Sequence, residues 1–144
     1  MDLIREKHKA VEFHRECWNW IAKIYENVKE ERSIDTLLQT FCDNNNIEGA
    51  DPCCSYDTYM KYKHNCGDCE NCPIDWGTFD KTYKVYCDSG LKHPETGENT
   101  GWHKLALQAS RRHNHEKVRE YALIIANLPE RLIDNDENKN LIEW

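Results

Sequence analysis

Residues 2–29, DLIREKHKAVEFHRECWNWIAKIYENVK, contain neither glycine nor proline. Apolar side chains fall at Ile4, Val11, Trp18, Ile21, Tyr25 and Val28. Steps of three, four and seven put them on one face of an α-helix, and the opposite face is rich in Glu, Lys and Arg. The stretch predicts one long amphipathic helix from Asp2 to about Lys29, and with it a mainly α fold. Trp18 and Trp20 cannot share a helix face, so one is expected in the core and the other at its boundary.

Beyond this helix, Lys29-Glu30-Glu31-Arg32 breaks the pattern and Ser33 is placed to cap a second helix, Ile34 to about Asp43, with Leu37, Leu38 and Phe41 apolar. Asn44-Asn45-Asn46 ends it, because Asn tolerates the left-handed conformation that closes many helices. The helical pattern returns after Gly101. Trp102, Leu105, Ala106 and Ala109 share one face, and Val118, Tyr121, Ala122, Ile125 and Leu128 share another. The basic segment Arg111–His115 between them reads either as a kink or as the exposed stretch of one long helix. Pro129 ends the pattern, since the residue before a proline disfavours the helical region.

Residues 47–101 differ. They hold six of the eight cysteines, and their periodicity is weak. A short helix from Ser55 to Lys63 and a strand-like piece from Thr82 to Tyr86 are the regular elements expected there. A segment this long with so little pattern needs a staple, and its cysteines are the available one. The division is thus a single domain over 1–144. Its regions are a helical N-terminal segment (1–46), a cysteine-rich stapled segment (47–101), a C-terminal helix (102–133) and an acidic tail (134–144), expected to be mobile. The long N-terminal helix is expected to pack antiparallel on the C-terminal one, with the stapled segment across one end.

The formal net charge is −7, which disfavours generic binding to phosphate backbones. The 5 Trp, 7 Tyr and 3 Phe supply apolar surface that disordered chains lack. No stretch is long and apolar enough to span a membrane. The opening MDLIREKHKAVEFHREC has no apolar signal region, so a reducing compartment is expected, where eight cysteines argue for metal or catalysis before disulfides.

Cys69-x2-Cys72 is the sharpest local motif. Two thiolates three positions apart on a tight turn suit one tetrahedral Zn²⁺, with Zn–S distances of about 2.3 Å. Cys54 and Cys87 flank the pair with fourteen residues intervening on each side. The expected site is therefore Cys54, Cys69, Cys72 and Cys87 around a structural zinc ion, with no open coordination position. Rival arrangements remain. Cys66-x2-Cys69-x2-Cys72-Pro73 partly imitates an iron–sulfur run, and His64 or Cys53 could replace one of the four. His14 and Cys17, three apart, are better read as a packing pair than as metal ligands. Pro73-Ile74-Asp75-Trp76-Gly77 reads either as a binding loop or, as expected here, as a structural turn in which Pro73 turns the chain, Trp76 covers the metal's sulfurs and Asp75 caps the turn.

The blocks His14-Arg15-Glu16-Cys17-Trp18-Asn19-Trp20-Ile21-Ala22, Cys54-Ser55-Tyr56, Cys69-Glu70-Asn71-Cys72-Pro73-Ile74-Asp75-Trp76-Gly77, Cys87 and Tyr121–Arg131 occur in that order. In this they resemble a family of small cysteine-rich proteins encoded by phages and prophages of Gram-positive bacteria. The resemblance spans most of the chain. It implies the same four cysteines and demotes Cys17, Cys42, Cys53 and Cys66. It also implies a setting, a phage accessory protein in the host bacterial cytoplasm, without an activity to carry over.

Catalysis has little support in the sequence, which lacks a Gly-rich phosphate loop and any nucleophile motif. The first functional expectation is an interaction protein that binds a host macromolecule, such as a component of a defence or regulatory system, through its acidic surface. The second is a nucleic-acid or signalling-nucleotide binder using Arg111, Arg112, His113 and His115, the one basic cluster of note. A solvated helix face is the plainer reading of that cluster.

Overall fold

A computed structural model of the chain describes residues 2–64, 71–76, 87, 91–93 and 96–131. The expected strand at 82–86, Cys66, Cys69 and the acidic tail lie outside the described residues. The fold is mainly α, with five helices among the described residues: α1 (Lys7–Ile24), α2 (Ile34–Asn44), α3 (Pro52–His64), α4 (Trp102–Arg111) and α5 (His115–Ala126).

α1 is shorter than its periodicity predicts: hydrogen bonds from outside the helix hold its N-terminal side, and the chain turns away at its C-terminal side. Residues 2–6 run extended beside the α2–α3 connection. The Asp2 N–H donates to the Asn46 carbonyl (3.2 Å), the Glu48 N–H to the Asp2 carbonyl (2.8 Å), and the Ile4 N–H to Ser55 Oγ (2.9 Å). At the other end the chain turns after Tyr25 and leaves Val28 exposed, off the face it was expected to join. The rest of that face is buried: Ala10, Val11, His14, Cys17, Trp18, Ile21 and Ala22. Trp18 is in the core, and Trp20 sits at its boundary with its ring tilted against Phe41.

The cap of α2 forms as expected, with Ser33 Oγ accepting from the Thr36 N–H, and Asn46 closes the helix in the left-handed region (φ 56°). α3 begins three residues earlier than expected. Pro52 occupies the first helical position, where its missing N–H costs nothing, and Asp51 Oδ1 accepts from the Cys54 N–H (2.9 Å). Gly49, at φ 131°, lies so close to Ser55 that a Cβ would stand 3.2 Å from the serine Cβ.

Arg111–His115 is a corner between two helices rather than an exposed stretch of one. His113 turns left-handed (φ 57°), the Asn114 N–H returns to the Ala109 carbonyl, and the Asn114 side chain then caps α5 by accepting from the Lys117 N–H. Before α4, β1 (Leu91–Lys92) and β2 (Asn99–Thr100) form a small antiparallel hairpin with Leu91 opposite Thr100.

The largest helix–helix contact joins α1 and α5, followed by α4 with α5 and α1 with α3. Three contacts fix the direction: Lys7 reaches Glu130 (4.0 Å), His14 bonds the Ile125 carbonyl, and the Tyr25 ring lies on His115. Numbers rise along α1 as they fall along α5, so the pair is antiparallel, as expected. Ile21, Ile34, Leu37, Val118 and Ile125 are fully buried at the centre. Burying each such side chain contributes about 1.5–3 kcal/mol.

Candidate metal centre

Three segments meet at one end of the α1–α5 pair. The first turn of α3 brings Cys53 and Cys54. The turn at 71–76 brings Cys72 and Trp76. Cys87 stands before α4, its carbonyl accepting the His103 N–H (2.8 Å). The 71–76 turn is fixed from both sides. The Asn71 N–H donates to Asp57 Oδ1 on α3 (2.9 Å), while residues 73–75 pair with the chain leaving α5: Asp75 N–H to the Pro129 carbonyl (2.9 Å) and Arg131 N–H to the Pro73 carbonyl (2.8 Å). Ile74, between these two bonds, is fully buried.

Cys72 is half-buried and faces donors. Trp76 Nε1–H donates to Cys72 Sγ (3.3 Å). The Cys53 thiol, the Ile74 backbone N–H and the Trp76 indole together outweigh desolvation, so the Cys72 thiol is held below its ordinary value. Trp76 was expected to cover the metal's sulfurs; among the described residues its sulfur contact is with Cys72. Cys54 is the opposite case. The residue reaches the surface, yet its thiol is desolvated; that burial, then the Asp51 carboxylate and the Cys87 and Cys72 sulfurs, push it upward. A thiol held protonated by neighbouring sulfurs and a carboxylate is one a cation would convert to thiolate.

Cys53, demoted on sequence, is part of the cluster. It is buried between His14 Nδ1 (3.2 Å) and the Cys72 side chain, to which it is hydrogen-bonded. The tautomer of His14 follows from its other contact. The Ile125 carbonyl only accepts, so Nε2 carries the proton in the 2.9 Å bond to it, and Nδ1 is an acceptor. Burial lowers the His14 pKa from 6.5 to about 4, so the ring is neutral at pH 7. Cys53 therefore has one S–H proton and two neighbours, His14 Nδ1 and the Cys72 sulfur.

His14 was expected as half of a half-buried packing pair with Cys17. Both are fully buried, and Trp76 stands edge-on to the His14 ring (5.7 Å, 89°). Burial pushes the Cys17 thiol far up and that of Cys42 up to about 12, so both are inert. His103 went unnoticed in the sequence because it belongs to no motif. Its ring is edge-on to Trp18 (5.6 Å), and its Nε2 is buried without a hydrogen-bond partner among the described residues.

Of the expected ligands, Cys54, Cys72 and Cys87 come to this end of the fold and Cys69 lies outside the described residues. Among the described residues no three His, Cys, Asp or Glu side chains form a group that could by itself hold a metal ion. His64, a rival ligand, is the exposed last residue of α3. The basic cluster is elsewhere, at the α4–α5 corner. Arg111, Arg112 and His113 are exposed there, but His115 turns inward, with Nε2 bonded to the Glu30 carbonyl (2.8 Å) and Nδ1 beside the His113 carbonyl (3.0 Å). No helix among the described residues is long and apolar enough to cross a membrane. No protein-family model matches the chain, and neither a curated protein nor a solved structure matches it.

Proposed function

We propose that the chain is a zinc-stapled binding protein, a phage accessory protein that acts in the host bacterial cytoplasm by occupying a host macromolecule. The observation that carries the metal half is the set of sulfurs around Cys72. The Cys87 and Cys72 sulfurs raise the charge cost of Cys54, Cys72 faces N–H donors suited to a thiolate, and the single Cys53 proton lies between His14 Nδ1 and the Cys72 sulfur. Zn²⁺ held by Cys54, Cys69, Cys72 and Cys87 answers all three: it offsets part of the charge of the sulfurs and leaves the Cys53 proton to His14. The donor set is soft and closed, which suits a structural ion.

The binding half follows from the charge. A surface at −7, deepened by about −2 from a tetrathiolate zinc, complements a basic site on a partner, including one that ordinarily holds nucleic acid. Affinity purification from the natural host tests it. One protein retained in stoichiometric amount supports the reading, and no retained protein contradicts it. The exposed Arg111, Arg112 and His113 favour a second reading, a binder of nucleic acid or a signalling nucleotide. Salt-sensitive retention of single strands or cyclic nucleotides, lost in Arg111→Ala and Arg112→Ala, selects that one.

A further inference from the structure

Cys53 is the one thiol of the cluster with no place in the metal set, and it has two neighbours that define a chemistry. Its sulfur is hydrogen-bonded to Cys72 on one side and lies 3.2 Å from His14 Nδ1 on the other. Cys72 is half-buried and reachable from solvent, whereas Cys53 is enclosed. Within the pair an oxidant therefore meets Cys72 before Cys53, and the thiol positioned to answer is Cys53. His14 Nδ1 is an unprotonated acceptor, because Nε2–H is committed to the Ile125 carbonyl. Among the other described thiols, Cys17 and Cys42 are buried in the helical core, and Cys54 has the Asp51 carboxylate beside its thiol where Cys53 has His14 Nδ1.

We propose that Cys72 and Cys53 form a peroxide-responsive thiol pair, in which a hydroperoxide oxidises Cys72 and Cys53 closes a disulfide onto it. In the first step the Cys72 sulfur attacks the outer peroxide oxygen, the O–O bond breaks, and the alcohol (water, for hydrogen peroxide) leaves with the thiol proton. Cys72 is then a sulfenic acid. In the second step the Cys53 sulfur attacks the Cys72 sulfur. Its proton passes to His14 Nδ1 and from there to the departing oxygen, which leaves as water as the S–O bond breaks. Two thiols and one hydroperoxide give one disulfide, one alcohol and one water. The two electrons come from the sulfur pair. The bond ties α3 to the 71–76 turn and takes Cys72 from the metal set. Disulfide closure stands on the Cys53–Cys72–His14 geometry alone; its consequence, release of zinc, rests on the metal reading.

The test treats the purified full-length chain with hydrogen peroxide, blocks remaining thiols, and digests without reductant. Cleavage after Lys and Arg separates the peptide 33–61, which carries Cys53, from 64–81, which carries Cys72. The expected product is a cross-link between these peptides whose fragment ions place it on Cys53 and Cys72, absent in Cys53→Ser and present in Cys54→Ser. A cross-link that persists in Cys53→Ser, or oxidation of Cys72 with Cys53 still free, overturns the proposal, and fragment-ion assignment in the unsubstituted chain decides it even where a variant does not fold. A colour-forming chelator followed in parallel reads about one zinc released per cross-link. A correct cross-link with no zinc released overturns the metal reading and leaves the thiol pair standing.

Discussion

The two ends of the α1–α5 pair are held by different chemistry. At one end, Tyr25, Ser110, His115, Glu30 and Arg32 make a knot of hydrogen bonds. The Tyr25 hydroxyl donates to the Arg32 carbonyl (2.6 Å) and lies 2.9 Å from Ser110 Oγ, which also accepts from the Ile34 N–H (3.2 Å). Protein groups complete every bond of that knot. At the other end, the Cys53 and Cys54 sulfurs stand near Cys72, and the one Cys53 proton lies between His14 Nδ1 and the Cys72 sulfur. The first end is finished by the chain's own groups. On the zinc reading, the second is finished by an ion that the chain takes up.

Removing that ion should separate the two ends most widely. Chelation with a strong zinc ligand is expected to speed amide exchange in α3 and residues 71–76 by about a hundredfold or more, as a local unfolding, while α2 and the α4–α5 corner keep their protection. Hydrogen exchange followed by mass spectrometry reads both ends in one experiment.

Acid comes next. His14 is neutral in the fold, with a pKa near 4 against 6.5 in an unfolded chain. Between those values the unfolded state binds more protons, so stability is full above about pH 6.5 and falls as pH drops toward 4. The loss is about 3 kcal/mol. Urea midpoints measured over that window should fall steeply for the unsubstituted chain and less steeply for His14→Gln, with carboxylate titration common to both.

At the finished end, Ser110→Ala leaves the Ile34 N–H without its partner and removes one of the two contacts of Tyr25, a cost of about 2 kcal/mol in urea unfolding. Arg111→Ala and Arg112→Ala are expected to change stability by less than about 0.5 kcal/mol, since both side chains are exposed at the corner. Any larger effect would mean that the corner carries structure as well as charge.

The helices were legible because their signals are local. Ser33, Pro129 and the apolar faces of α2, α4 and α5 act through neighbours three or four residues away. The limits of α1 were not legible, because Asn46, Glu48 and Ser55, which hold residues 2–4 in an extended run, are distant in sequence. The split at His113 was only half legible, since a basic polar run fits a helix surface as well as a turn. At the candidate site the even spacing around Cys69 and Cys72 picked out Cys54 and Cys87. It could not pick out Cys53, which meets His14 on another helix and the turn that the pairing of residues 73–75 with 129–131 holds in place. No spacing rule encodes a contact made across 39 or more residues.

Whether one zinc ion completes the thiol end is decided by elemental analysis of the full chain, purified without chelator or added metal. About one zinc per chain is expected, falling toward none in Cys72→Ser. Protein that is folded and monodisperse without zinc, or that carries iron in its place, would contradict the zinc staple.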